Sequence, residues 1–222
     1  MFGSVHKINH IILYGGTFDP PHLGHLRTAE AIQFGCHADR FIFLPCKTPV
    51  IKSPALATPQ QRIAMLRLAL EPYKEFEVDT REITRAGPSF MLHTLESFRE
   101  ELGMRCAISL VIGMDAFMQL PAWHEWKGIL KRCHLVVIDR QGYSEQDLST
   151  PLKAYLSEHL TENANDLTKD ASGRILRYHA GDYPISSHWL RDEIQQGHSI
   201  TSYVPLTVDN YIKQQALYRS CP

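Results

Sequence analysis

The stretch "HIILYGGTFDPPHLGH", His10–His25, decides how the chain is read. Ile11–Tyr14 is a short unbroken apolar run, the pattern of a strand covered on both faces. The next eleven residues, Gly15–His25, hold three glycines, two prolines, one aspartate and two histidines. "LGHLRTAEAIQFG" then has helical character, with Gly35 as its expected stop. A buried strand, a glycine-bearing loop and a helix form the first half of a β-α-β unit, whose ligands gather beyond the strand's carboxyl end.

The same alternation continues along the chain. "RFIFLP" predicts a second buried strand, followed by the proline-punctuated "CKTPVIKSPALA". Thr58, Pro59 and Gln61 spell a helix start with cap, first-turn proline and capping-box glutamine, and Ile63, Leu66 and Leu70 continue it. "FEVDTREI" alternates as a strand does, and "RAGPS" leads into a helix carrying Leu95, Phe98 and Leu102. "CAISLVIG", "HLVVIDR" and "RILRYH" are further strands. The polar segment 141–173 reads as a helical insertion around "LKAYLSEHL". "PLTVDNYIKQQALY" reads as a closing amphipathic helix with Val208, Ile212 and Ala216 on one stripe. The expected architecture is α/β: a doubly wound, mostly parallel sheet with helices on both faces, in one domain spanning 1–222 with a helical end at 186–222.

Composition bounds the function. The chain has 222 residues, 44% hydrophobic and 21% charged, with a formal net charge of -1. No strong overall field draws it to nucleic acid or an anionic membrane, so neither is expected as a partner. Cys36, Cys46, Cys106, Cys133 and Cys221 are odd in number, widely spaced and without a C-x-x-C pair, which suits buried thiols in a reducing cytoplasm. No run approaches the roughly 20 apolar residues of a membrane helix.

On physical grounds Gly15 and Gly16 leave bare backbone for phosphates, and the helix after them offers N–H groups and a positive dipole end. His22 and His25, three apart, point to one side of that helix. Neither a dinucleotide-binding nor a P-loop glycine pattern is present. Zinc on Asp19, His22 and His25 lacks a fourth ligand nearby.

"GGTFDPPHLGH" resembles the first signature of the H-x-G-H nucleotidyltransferase superfamily. "PSFMLHTL", "VIGMDAF", "LPAWHEW", "HLVVIDR", "ISSHWLR" and "YIKQQALY", in that order, are similar to its nicotinate-nucleotide adenylyltransferases. The resemblance implies transfer of AMP from ATP, with Mg2+, to nicotinate mononucleotide, giving deamido-NAD and pyrophosphate. It implies that His22, His25 and Arg191 are catalytic. Gly15, Gly16, Thr17, Phe18, Gly113, Asp115, Ile185, Ser186 and Ser187 join them in holding ATP. Ser89, Phe90, Met91, Trp123, His124 and Lys52 would hold the acceptor, and no protein metal ligand is implied. Three positions depart from the pattern: Pro49–Lys52 replaces P-P-H-[KR], and Met91 and His188 stand where threonine is common. The alternatives are a nicotinamide-mononucleotide adenylyltransferase, another nucleotidyltransferase of the superfamily, and a non-catalytic nucleotide-binding regulator.

Overall fold

The computed structural model describes residues 9–47, 54–139, 142–143 and 145–219. Among them seven strands form one parallel sheet in the order β3-β2-β1-β4-β5-β7-β6. These are β1 (His10–Gly16), β2 (Arg40–Pro45), β3 (Phe76–Val78), β4 (Ala107–Gly113), β5 (His134–Ile138), β6 (Leu160–Thr161) and β7 (Ile175–Tyr178). The helices are α1 (Leu23–Cys36), α2 (Pro59–Leu70), α3 (Arg81–Thr84), α4 (Met91–Leu102), α5 (Met114–Met118), α6 (Thr150–His159), α7 (Ser187–Gln195) and α8 (Leu206–Gln214). The strand order reverses between β1 and β4, where His10 pairs with Ala107 and Tyr14 with Val111. Such a reversal is the place where parallel sheets of this kind bind ligands. No helix among the described residues is long and apolar enough to cross a membrane.

The chain divides into two compact units, one of Met1–Tyr14, Ile32–Phe41 and Phe90–Ala180, the other of Gly15–Ala31, Ile42–Ser89 and Gly181–Pro222. In the first unit the sheet residues Ile12, Leu13, Leu110, Val111, Leu135 and Val136 are fully buried, as unbroken apolar strands require. Two histidines are buried with them. His10 lies between the Ser109 hydroxyl (2.8 Å) and the Cys36 carbonyl (3.3 Å). His134 donates from Nε2 to the Asp170 carbonyl and accepts the Arg174 N–H on Nδ1, each at 3.0 Å, so its ring is neutral. In the second unit α2 packs against α8, where the Thr207 hydroxyl donates to the Leu68 carbonyl.

Several local expectations are corrected. Gly35 does not stop α1; it lies inside it, and His37 takes the left-handed conformation beyond the helix (φ 50°). A Cβ at Gly35 would fall 1.9 Å from the Tyr178 hydroxyl, so the glycine serves close packing. The strand in "FEVDTREI" ends at Val78. Asp79 accepts the Arg81 N–H (2.8 Å) and its guanidinium, which turns the chain into α3. On α2 the buried stripe is Arg62, Met65, Leu66, Ala69 and Leu70, and Ile63 is only half-buried. On α8 it is Val208, Asp209 and Ile212; Ala216 is exposed beyond the helix end. The Thr58 capping box forms as the sequence spells it. Residues 141–173 contain α6 and also the two-residue strand β6, which pairs with β7.

Two outcomes follow. Gly35→Ala is expected to lower stability by about 1–3 kcal/mol in urea unfolding, by forcing Tyr178 aside; adding Tyr178→Phe should restore part of it. Burial, the largest influence on His134, pulls its pKa down to about 4 from 6.5. The unfolded chain therefore takes this proton near 6.5 while the folded chain refuses it until about 4. Stability is complete above that window and is lost as pH falls through it, by about 3 kcal/mol. Urea midpoints between these limits should fall less steeply in His134→Gln.

Candidate active site

The segment after β1 is held from beneath by a buried arginine. Arg62, fully buried on α2, donates to the carbonyls of Thr17 (2.7 Å), Cys46 (2.7 Å) and Lys47 (3.0 Å). Its planar fork suits three carbonyls that no strand or helix satisfies. The Cys46 N–H in turn donates to the Gly16 carbonyl (3.0 Å). Gly15 and Gly16 belong to β1 itself, so the turn begins only at Thr17. A Cβ at Gly16 would stand 2.8 Å from the ring of Phe18. Phe18 is buried, adopts a left-handed backbone (φ 51°), and meets His25 edge-on at 5.1 Å and Phe43 at 5.6 Å. The bare backbone of Gly16 thus receives an aromatic ring.

His22 and His25 are brought together. Their rings stack at 3.7 Å with 27° between planes. The His22 backbone N–H donates to His25 Nδ1 (3.2 Å), which leaves Nε2 of a neutral His25 as the protonated, donating nitrogen. Gly24 between them is required by this pose: a Cβ there would lie 3.0 Å from His22 Nδ1 and 3.4 Å from the Tyr183 Cβ. At the start of α1 several N–H groups have partners within the second unit. The Leu23 N–H donates to the Tyr203 carbonyl (2.9 Å), and those of His22 and His25 are also engaged.

Asp19 connects this loop to α7. Its carboxylate, 2% exposed, accepts the Leu56 N–H (2.8 Å), the Ala57 N–H (3.2 Å) and the Tyr218 hydroxyl (2.7 Å). Its backbone carbonyl accepts a guanidinium N–H of Arg191 (2.8 Å), whose charge lies 3.9 Å from the carboxylate. Ser187 donates to the carbonyl of Pro20 (2.9 Å). Ser186 is the cap of α7, accepting the Trp189 N–H (3.2 Å). The departure at His188 has visible neighbours. Its Nδ1 lies 3.4 Å from Arg191 and its Nε2 3.4 Å from Asp192. Ile185, just before the cap, is half-buried. The second unit so gathers two imidazoles and an anchored guanidinium, a donor set suited to phosphate oxygens.

The first unit holds Gly113, Asp115, Phe90, Met91, Trp123 and His124. Gly113 ends β4 and caps α5, and Asp115 lies buried in the first turn of that helix. Phe90, the cap of α4, stacks on His124 at 4.4 Å and 21°; His93 closes on both rings at 5.6 Å. His93 was missed by sequence reasoning, although its spacing of three from Phe90 at a helix start is a readable signal. Met91 opens α4 and Trp123 is half-buried. Trp126 packs on Tyr155 instead. Ser89, in the second unit, accepts the Lys47 N–H (3.3 Å), and Lys47 Nζ reaches the Arg85 carbonyl (3.1 Å), bracing the turn before α4. Lys52, with the whole Pro49–Lys52 stretch and Cys221, lies outside the described residues. Cys36, Cys46, Cys106 and Cys133 are free thiols, all but Cys46 buried.

Gly24→Ala should leave the protein folded but break the imidazole stack. Separate, shifted His22 and His25 ring resonances in proton–nitrogen spectra would register the change; unaltered resonances would contradict the packing role given to Gly24.

Comparison with known proteins places these features. The sequence pattern of the cytidylyltransferase-like family matches residues 13–193. A Legionella pneumophila (strain Paris) protein named "Probable nicotinate-nucleotide adenylyltransferase" is 41% identical over 209 residues, covering 94% of this chain and 99% of its own. A relative of the same name from Marinomonas sp. (strain MWYL1) is 37% identical and covers 96% of each. Among solved structures, Plasmodium falciparum nicotinic acid mononucleotide adenylyltransferase complexed with NaAD superposes with a TM-score of 0.71 over 95% of this chain and 97% of that one. At 16% identity that likeness shows the fold alone. Matched along most of its length by both the family pattern and these relatives, the chain belongs to the cytidylyltransferase-like family and, within it, to the nicotinate-nucleotide adenylyltransferases.

Proposed function

We propose that this chain transfers the adenylyl group of ATP to nicotinate mononucleotide, releasing pyrophosphate and forming deamido-NAD. The observation that carries the reading is the stacked His22/His25 pair on a loop that is bonded to Arg191 and Ser187 of α7. The names of the 35–41% identical relatives point the same way.

The attacking group is the acceptor's 5′-phosphate. Its second pKa lies near ~6, so at neutral pH it is already a dianion and needs no general base. An oxygen of that phosphate forms a bond to the α-phosphorus while the bond from that phosphorus to the pyrophosphate oxygen breaks. Negative charge grows on the α-phosphoryl oxygens and on the departing pyrophosphate. His25, with its donating Nε2, and His22 meet the first; Arg191 meets the second. Gly15, Gly16, Thr17, Phe18, Ile185, Ser186 and Ser187 shape the phosphate seat. Gly113 lets the nucleotide approach its strand end, and Asp115 accepts from the ribose. Ser89, Phe90, Met91, Trp123 and His124 receive the pyridine ring and its carboxylate.

The set in the second unit is made of N–H donors, imidazole and guanidinium, and the carboxylate beside it, Asp19, is already committed to four partners. Such a set suits phosphate oxygens rather than a hard cation. Magnesium is accordingly part of the nucleotide substrate, held by phosphates and water.

Turnover of ATP with matched nicotinate and nicotinamide mononucleotides, read by pyrophosphate release, tests the reading. ATP binding without turnover of either acceptor would favour a regulator, and preference for the amide would transfer the assignment to the nicotinamide enzyme. His25→Ala should lower kcat by about 100- to 1,000-fold, as loss of a transition-state donor does, with the acceptor KM little changed. Trp123→Ala should act chiefly on acceptor KM.

A further inference from the structure

Tyr218 lies 199 residues from Asp19 in sequence, yet its hydroxyl donates to Asp19 Oδ1 at 2.7 Å. The chain takes unusual backbone conformations to bring it there. After α8, Ala216 (φ 49°) and Tyr218 (φ 62°) both adopt the left-handed region, which residues with side chains enter at a cost. The phenol is buried beside Met65, whose Sδ lies 3.9 Å from the same hydroxyl. Burial and the neighbouring Asp19 charge raise its pKa, so the hydroxyl keeps its proton and remains a donor. The carboxylate it meets belongs to the residue whose backbone carbonyl holds Arg191 at 2.8 Å. The Arg191 side chain, 19% exposed, is therefore aimed from behind by a residue that the C-terminal turn fixes.

We propose that Tyr218 is a positioning residue of the phosphate site: through Asp19 it sets the direction of the Arg191 guanidinium. This rests on the reading of Arg191 as a phosphate-binding group. Without the hydroxyl, Asp19 loses its one donor from the C-terminal turn, and its carboxylate is free to draw the Arg191 guanidinium inward, away from ligand. Tyr218 itself touches no substrate. A residue that merely filled space here would affect melting and leave Arg191 unchanged.

The test is a double-variant cycle read by calorimetric binding of Mg·ATP, with circular dichroism confirming that each variant is folded at the temperature used. Tyr218→Phe, which keeps the ring, is expected to weaken ATP about tenfold, in the range for a lost hydrogen bond to a charged group. In an Arg191→Ala background the same change is expected to do nothing further. Met65→Leu, a volume-conserving change against the same phenol, should leave ATP affinity as it is. In turnover, Tyr218→Phe should lower kcat/KM for ATP and leave the KM for nicotinate mononucleotide unchanged. ATP affinity equal to that of the unaltered protein, or losses that add in the double variant, would overturn the proposal. Loss in Met65→Leu as large as in Tyr218→Phe would overturn it too, by making packing the cause. An unaltered chain that binds ATP but makes no dinucleotide would count against adenylyl transfer while the binding cycle still decided the role of Tyr218. An unaltered chain that does not bind ATP would sink both.

Discussion

A carboxylate taken out of water is the constraint on which the second unit depends. Asp19, at 2% exposure, is surrounded by two backbone N–H groups, a phenol and a nearby guanidinium. Desolvating such a charge costs several kcal/mol, and leaving it short of donors costs more than the pair ever gains. Every segment that supplies a donor is therefore fixed where that charge needs it. The residues before α2, the turn after α8 and the side chain of Arg191 are so registered on one loop, none of them by strand or helix bonding.

Arginine supplies the complementary device. Arg62 satisfies carbonyls from Thr17, Cys46 and Lys47 in the second unit. In the first, Arg99 of α4 does the same for Gly103, Cys106, Arg132 and Ala171. Loops cannot meet their own backbone demands, and a rigid five-donor fork meets several at once. These cations act by ordering peptide groups. A lysine, with its point charge, could not replace them.

The elements whose cause is local were legible in the sequence. Unbroken apolar runs gave β1, β2, β4 and β5, and Thr58 with Gln61 announced α2 to the residue. The pairing of His22 and His25 was legible because a spacing of three puts both rings on one side of α1, where they stack; Arg191 entered only through the resemblance. What escaped has its cause far along the chain. Gly35 resembles a helix stop until the ring of Tyr178 is set against it. Arg62 stands on an apolar stripe, but its carbonyl partners are separated from it by up to 45 residues. The closeness of Phe18 to Gly16 was not legible, because a fold-back in a left-handed conformation leaves no periodic trace. The two residues of β6 are too few to carry a pattern at all.

The 199-residue separation of Asp19 from its phenol also governs timing on the ribosome. At translation speeds of about 5–20 residues per second, the loop of Asp19 emerges some 10–40 s before Tyr218 is made. Through that interval the nascent chain carries its strand and helix signals but lacks the closing contact, so the acid stays hydrated. Long-range closure of this kind makes folding slow relative to a helical bundle of similar size. The surroundings of Asp19 are thereby a property of the nearly finished polypeptide, completed late in synthesis.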